Sequence, residues 1–247
     1  VLGDRPSVFG STLNRVGAIC EDAGLPGYAK NQIADWLYKK HAIKIDDMTN
    51  LSARSRAVLA RDYQILVSPP LREWRSVDGT KKYLFRTAGG ALIESALIPD
   101  GDRATLCLST QAGCKRACRF CMTGKQGLQE DITAGEILNQ YRSLPERDAV
   151  SNIVYMGMGE PLDNIGPVLD SLEVFTSAYG YGLSPRRITV STVGILPELT
   201  TLIDATECSI AVSLHSPFEQ ERKRIMPVES QFPLARILEV IRNNPFG

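Results

Sequence analysis

Histidine is nearly absent from this 247-residue chain: His41 and His215 are its two examples, and neither stands beside a pair of cysteines. Zinc sites built from close cysteine pairs and a nearby histidine are therefore not legible in it. A surplus of charge is also missing. Lys and Arg number 28, Asp and Glu 28, so the total neither marks nor excludes a nucleic-acid partner, and local patches decide. No apolar run approaches the ~20 residues of a membrane-spanning helix. The N-terminus shows no charged stretch followed by an apolar core, so no secretory signal and no membrane contact are expected. Val1 stands where a methionine would, so residues preceding it are expected. Six cysteines are too few for a disulfide scaffold at this length. Three of them crowd one segment, which suits metal ligation in a reducing compartment and points to the cytoplasm.

Residues 1–68 are predicted to be helical. Ile33, Trp36 and Leu37 follow the i, i+3, i+4 spacing of one helix face, and Thr49 or Asn50 is a candidate cap for a second helix through Leu59. A Ser-Pro-Pro break at 68–70 marks a boundary. Residues 69–103 suggest a β-hairpin connector, with strands at 82–86 and 91–98 around Gly89 and Gly90. Glu94 is an acidic residue in an otherwise apolar strand, costly to bury without a partner or a purpose. From 104 to 247 the pattern becomes strand–loop–helix, with strands at 105–110, 152–158, 187–193 and 208–214. Thr133 and Glu136, then Ser216 and Glu219, have capping-box spacing, the second with Pro217 at the first helical position. This alternation predicts an α/β fold with a parallel sheet and outer helices.

In such folds chemistry collects at the C-terminal ends of the strands, and every informative motif lies there. Cys114, Cys118 and Cys121 follow the first strand in the spacing C-x3-C-x2-C. Three thiolates on one loop can hold three irons of a four-iron cluster and leave the fourth open to the amino and carboxylate groups of S-adenosylmethionine (SAM). The bland alternative is a zinc knot, which needs a fourth ligand. A Gly-Met-Gly-Glu-Pro motif at 157–161 follows the second strand. Its glycines allow close backbone approach, and Glu160 can accept a hydrogen bond from an ammonium group. Ser191, Ser213 and His215 end the later strands, where each alone is more often a cap or a satisfied polar group. Cys107 lies too far along its strand to join the three ligands and is by default a small buried residue, as are Cys20 and Cys208. Basic clusters at 72–75, 81–82, 115–119, 186–187 and 222–224 are by default solvated faces. Those at Arg116 and Arg186 gain interest as neighbours of the candidate site.

With these motifs in place the chain resembles the RlmN/Cfr family of radical-SAM RNA methyltransferases, and its RlmN branch more closely. The matching stretches are 102–107, 111–124, 155–162, 183–187, 191–194 and 213–217, together with 32–38 and 48–49 near the N-terminus. The resemblance implies a partial (β/α) radical-SAM barrel behind a small helical RNA-binding domain. It implies a [4Fe-4S] cluster on Cys114, Cys118 and Cys121, and SAM held by Gly159, Glu160, Ser191, Ser213, Leu214 and His215. The implied reaction is methylation at C2 of adenosine in 23S rRNA and tRNA through a methyl-cysteine intermediate. By the same likeness Glu94 is the general base, and Cys107 resolves a protein–RNA crosslink by forming a disulfide. An external flavodoxin-type electron donor, a thiol reductant and a monomeric state follow from it as expectations.

The methyl-carrying cysteine of the family, and an asparagine of a later strand that helps bind SAM, have no counterpart before Gly247. Fewer barrel strands are legible than the family's partial barrel holds. The expectation is a truncated barrel that loads a cluster without completing turnover and leaves a parallel edge strand unpaired. Two rivals remain at this point. One is Cfr-like methylation at C8, disfavoured by Pro161 after Glu160, where Cfr-like sequences often carry alanine. The other is a non-catalytic, zinc-stapled RNA-binding module.

Overall fold

The computed structural model describes residues 5–244. Three helices open the chain. Thr12 caps α1 (Leu13–Asp22), its hydroxyl accepting from the Arg15 amide at 3.4 Å. In α2 (Ala29–Tyr38), Ile33 and Leu37 are fully buried along the stripe expected of an amphipathic helix. α3 (Ala53–Asp62) begins after Ser52 rather than at Thr49 or Asn50. Asn50 is diverted from capping because its Oδ1 accepts from Trp36 Nε1 at 2.5 Å, and Ser52 Oγ takes the Ser55 amide at 3.0 Å instead.

β1 (Arg72–Arg75), β2 (Lys81–Arg86), β3 (Leu92–Asp100) and β4 (Arg103–Cys107) form an antiparallel run. Next comes a two-stranded ribbon, β5 (Gln111–Gly113) and β6 (Leu128–Asp131), with the short helix α4 (Met122–Gln126) between its strands. After α5 (Ala134–Arg142), the strand β7 (Val150–Tyr155) returns parallel to β4. α6 (Ile165–Thr176), β8 (Ile188–Thr192), α7 (Leu196–Ala205) and β9 (Ser209–Val212) continue the alternation, and α8 (Glu219–Ile225) and α9 (Leu234–Asn243) follow. The sheet order is β1-β2-β3-β4-β7-β8-β9, so the strands of the connector segment continue the parallel sheet without a break.

The barrel strands end one to three residues earlier than the apolar runs suggest. Beyond Cys107 and Tyr155 the two chains still exchange bonds, Leu108 N to Val154 O at 2.8 Å and Gly157 N to Leu108 O at 2.9 Å, before turning into loops. The Thr133–Glu136 capping box forms as expected. The one at Ser216 does not. Ser216 Oγ accepts from the Phe218 amide at 3.1 Å and donates to Glu221 at 2.8 Å, which delays α8 to Glu219 and leaves Pro217 outside it.

The two faces of the sheet differ. Ile93, Leu106, Ile153, Tyr155, Ile188 and Val190 are buried beneath the helices, and the Tyr155 hydroxyl lies 2.8 Å from Ser171 Oγ on α6. Burial of each such side chain contributes roughly 1.5–3 kcal/mol. The alternate residues, including Glu94, Ala96, Cys107, Val154, Thr189 and Ser191, face the open concave side, where none is fully buried. This is the alternation of a sheet with one packed and one accessible face.

The helical segment docks on the barrel through rings. Tyr38 and Tyr141 each pack against Tyr181, at 5.8 and 4.8 Å between centroids, and His41 stacks on the same tyrosine at 6.3 Å. The His41 carbonyl accepts from the Arg142 guanidinium. Burial, then the charges of Arg142 and Arg147, push the His41 imidazole down to about 4. A cleft of about 660 Å³ lies at the same junction, lined by Phe9, Ile65, Phe85 and Asn139 among others. It includes none of the residues singled out for chemistry.

Candidate active site

The three cysteines occupy the connection between β5 and β6, a ribbon not legible in the sequence. The ribbon closes tightly because Gly113 has φ +79°, and a Cβ there would lie 1.8 Å from the Gly127 carbonyl oxygen. The loop is folded by its own backbone: the Cys114 amide donates to Gly127 O at 3.1 Å and the Cys121 amide to Cys118 O at 3.0 Å. Ala117, in the left-handed region at φ +53°, turns the chain between the first two cysteines. Cys114 and Cys118 are buried and Cys121 is half-buried. Burial pushes the Cys114 thiol up to about 11, and Cys118 is raised by burial and then by the neighbouring Cys121.

Among the described residues no three His, Cys, Asp or Glu side chains converge on the position of a single metal ion. Three free thiols on one self-braced loop fit the three thiolate ligands of a [4Fe-4S] cluster.

The 157–161 loop lies against this ribbon. Gly159 has φ +100°, and a Cβ there would come within 2.7–2.9 Å of Gln111, so only glycine fits. Gln111 is fully buried; its side chain accepts from the Glu160 amide at 2.8 Å and donates to Asp131 at 2.6 Å. Glu160 is 3% exposed. Its carboxylate accepts from Leu162 N (3.1 Å), Thr192 Oγ1 (2.5 Å) and Val193 N (2.9 Å), joining the ends of β7 and β8. Burial raises its pKa, and these three donors oppose the rise. A carboxylate offers about four acceptor positions, so one remains for an incoming ammonium group.

Ser191 is half-buried on the concave face, opposite Ala211. The Ser213 amide donates to Thr192 O at 2.8 Å. Leu214 is 47% exposed, and His215, at φ +55°, lays its ring 4.3 Å from that of Phe120 in the cysteine loop. The last strand end and the cysteine loop therefore touch.

Glu94 and Cys107 sit on the same concave face. Ala96 pairs with Cys107 across β3 and β4, which places Glu94 diagonally from the thiol. Glu94 is not the buried charge that its apolar neighbours suggest. Its side chain is 42% exposed and its Oε1 lies 3.0 Å from Lys82 Nζ, because Ile93, Ser95 and Leu97 form the inward-facing set and Glu94 alternates away from it. The Cys107 thiol is pushed up by burial. All six cysteines are free, so the expected disulfide is not present.

Two basic groups differ from the expectation of solvated faces, and a third is solvated but lies away from the site. Arg116 makes a bidentate pair with Asp163, whose side chain is 4% exposed, and so clamps the cysteine loop to the turn after Glu160. Arg186 and Arg187 precede β8 and lie at the opposite end of that strand from the motifs. Arg222 is fully buried. It pairs with buried Glu229 and donates to the carbonyls of Val193 (3.1 Å), Ser213 (3.1 Å) and Leu214 (3.2 Å). Gln111, Asp163, Arg222 and Glu229 had no spacing signal, because their partners are distant in sequence or unremarkable in type.

A cysteine loop of this kind at the carboxyl rim of a parallel sheet defines a class, and the comparisons name it: residues 108–246 match the Radical SAM superfamily, to which the chain belongs. Residues 8–65 match the Ribosomal RNA large subunit methyltransferase N-terminal domain. A relative from Bacteroides fragilis described as "Probable dual-specificity RNA methyltransferase RlmN" is 48% identical over 97% of this chain and 70% of its own length. The "Dual-specificity RNA methyltransferase RlmN" of Geotalea uraniireducens is 41% identical over 98% of this chain and 71% of its own. The crystal structure of a radical SAM methyltransferase from Sphaerobacter thermophilus superposes with a TM-score of 0.86 at 34% identity, covering 97% of this chain and 72% of that one. Within the superfamily the chain is a member of the RlmN family.

Proposed function

We propose that this protein is a radical-SAM methyltransferase that methylates C2 of adenosine in 23S rRNA and tRNA. The observation that carries the reading is the meeting of the cysteine loop, the Glu160 loop and the ends of β8 and β9 at one rim, beside a sheet face bearing Glu94 and Cys107. Adenine C2–H is not acidic and has no leaving group there, so direct polar methyl transfer is unfavourable. A cluster on Cys114, Cys118 and Cys121 supplies, when bound with SAM, the electron needed for radical chemistry at an unactivated carbon. SAM would lie along Gly159, the remaining acceptor of Glu160, Ser191, Ser213, Leu214 and His215.

Two further groups come from the concave face of this chain. Glu94, held by Lys82 at one oxygen, accepts the C2 proton at the other. Cys107, kept as a thiol by burial, would as a thiolate attack the sulfur of the methyl-carrying cysteine that the family resemblance implies, forming an S–S bond as the C–S bond to the base breaks and the released carbon takes the electron pair and a proton to become the methyl group. The adenosine is unstacked from its RNA to reach these groups. An external low-potential electron donor of flavodoxin type and a thiol reductant complete the partner set, and the protein acts as a cytoplasmic monomer. Among the described residues no helix is long and apolar enough to cross a membrane.

The test is nucleoside mass spectrometry of 23S rRNA and tRNA from a strain lacking the gene and from the same strain complemented with it. Loss and return of 2-methyladenosine are expected. Loss of 8-methyladenosine instead, or no change in either, sinks the reading.

A further inference from the structure

The concave face does not stop at Glu94 and Cys107. The registers form one row across the sheet: Trp74 pairs with Lys82, Lys82 with Ala96, Ala96 with Cys107, and Cys107 with Val154. All of these side chains share the face that carries the proposed base and thiol. Trp74 thus lies three strand spacings from Cys107, about 14 Å along the sheet. The Arg72 guanidinium sits 4.7 Å from the centre of the Trp74 ring and Lys82 Nζ 5.0 Å from it. Lys82 in turn holds Glu94. Arg72 and Arg86 occupy the same face, both exposed, and among the described residues neither makes an ion pair.

We propose that Trp74, flanked by Arg72 and Lys82 and with Arg86 further along the same face, is a stacking platform for a single-stranded RNA segment adjoining the reacting adenosine. The inference rests on the RNA methyltransferase reading and adds the surface that receives the RNA. An aromatic ring beside cations on an open sheet face, Arg72 and Arg86 among them without an ion pair, matches the chemistry of single-stranded RNA, whose bases stack and whose phosphates require positive charge. An unstacked adenosine at Cys107 leaves its neighbouring bases without their own stacking partner, and Trp74 is the tryptophan on the face they would meet. Exposed cation–π contacts are weaker than base–aromatic stacking, so an incoming base displaces Arg72 from the ring and frees its guanidinium for phosphate. The Lys82–Glu94 pair connects this platform to the proposed base, so seating of the RNA and orientation of the carboxylate are coupled through one side chain.

The chain has two tryptophans, so Trp36→Phe leaves Trp74 as the sole reporter. The cluster-loaded protein is titrated with an RNA hairpin whose loop carries an unpaired adenosine, followed by tryptophan emission and by anisotropy of labelled RNA. Emission from Trp74 should be quenched in step with binding. Trp74→Ala should weaken binding about tenfold, and Trp74→Phe should retain most of it. Arg72→Ala should lower the slope of log affinity against log salt by about one. Circular dichroism and iron content of each variant check that the fold and the cysteine loop are intact. RNA binding without quenching, or a Trp74→Ala variant within twofold of wild type, overturns the platform and leaves the methyltransferase reading standing. Failure of the wild-type protein to bind the RNA at all overturns both.

Discussion

Arg222 and Glu229 form an ion pair without solvent contact, and the guanidinium of that pair also holds the carbonyls of Val193, Ser213 and Leu214 at the ends of two barrel strands. The residues proposed to bind SAM after β8 and β9 are thus positioned from below by a charge that never meets the ligand. Arg222→Met leaves a buried carboxylate unpaired and should destabilise the protein by about 3–5 kcal/mol. The double variant Arg222→Met/Glu229→Leu should recover most of that stability in urea unfolding. Its SAM affinity, by calorimetry, should stay below wild type because the three carbonyls have lost their common donor.

Gly159→Ala tests the Glu160 loop. At φ +100° an alanine is strained, and its methyl meets Gln111, which holds the Glu160 amide. The expected result is a loss of about 1–3 kcal/mol in stability and a SAM affinity at least tenfold weaker. Gln111→Ala removes the Cγ contact but keeps the Cβ and backbone N that lie 2.7 and 2.8 Å from the added methyl, so the double variant should recover little of the lost stability.

Cys118→Ala should abolish iron–sulfur absorption after anaerobic reconstitution while leaving RNA affinity within about twofold, since the cysteine loop and the N-terminal helices are separate parts of the chain. A wild-type protein that is colourless and zinc-loaded after the same treatment would instead support the zinc-stapled alternative.

The junction of the helical segment and the barrel should respond to acid. The His41 imidazole titrates near 4 in the folded protein against about 6.5 in the unfolded chain. Between these values the unfolded chain holds more protons, so stability falls as pH drops from about 6.5 to about 4 and this contribution is exhausted below that. His41→Asn keeps a side chain tolerant of φ +59° and removes the titration. Urea midpoints measured between pH 4 and 7 should therefore vary less in the variant.

The helix stripe through Ile33 and Leu37, the alternation of strands and helices, and the clustering of motifs at strand ends were all legible, because each depends on residues close in sequence. Local patterns misled where a distant partner competed. Asn50 could not cap a helix once Trp36 claimed its oxygen. Ser216 formed a turn with Phe218 and Glu221 in place of a capping box. Arg222 stood in a basic run and lies fully buried, because Glu229 and three carbonyls satisfy its donors.

By itself the sequence determined the chemistry: three thiols at C-x3-C-x2-C, a glycine-rich turn ending in glutamate, and a lone cysteine and a lone glutamate on successive strands. Residue type and short spacing suffice for that, since ligand identity and turn geometry are local properties. Only the tertiary structure decided how those groups face one another. Strand register put Glu94, Cys107 and Trp74 on one concave face, and a buried arginine fixed the ends of β8 and β9. Register and burial arise from pairings between segments far apart in the chain, where desolvation and hydrogen bonding select one arrangement among many that the same local patterns allow.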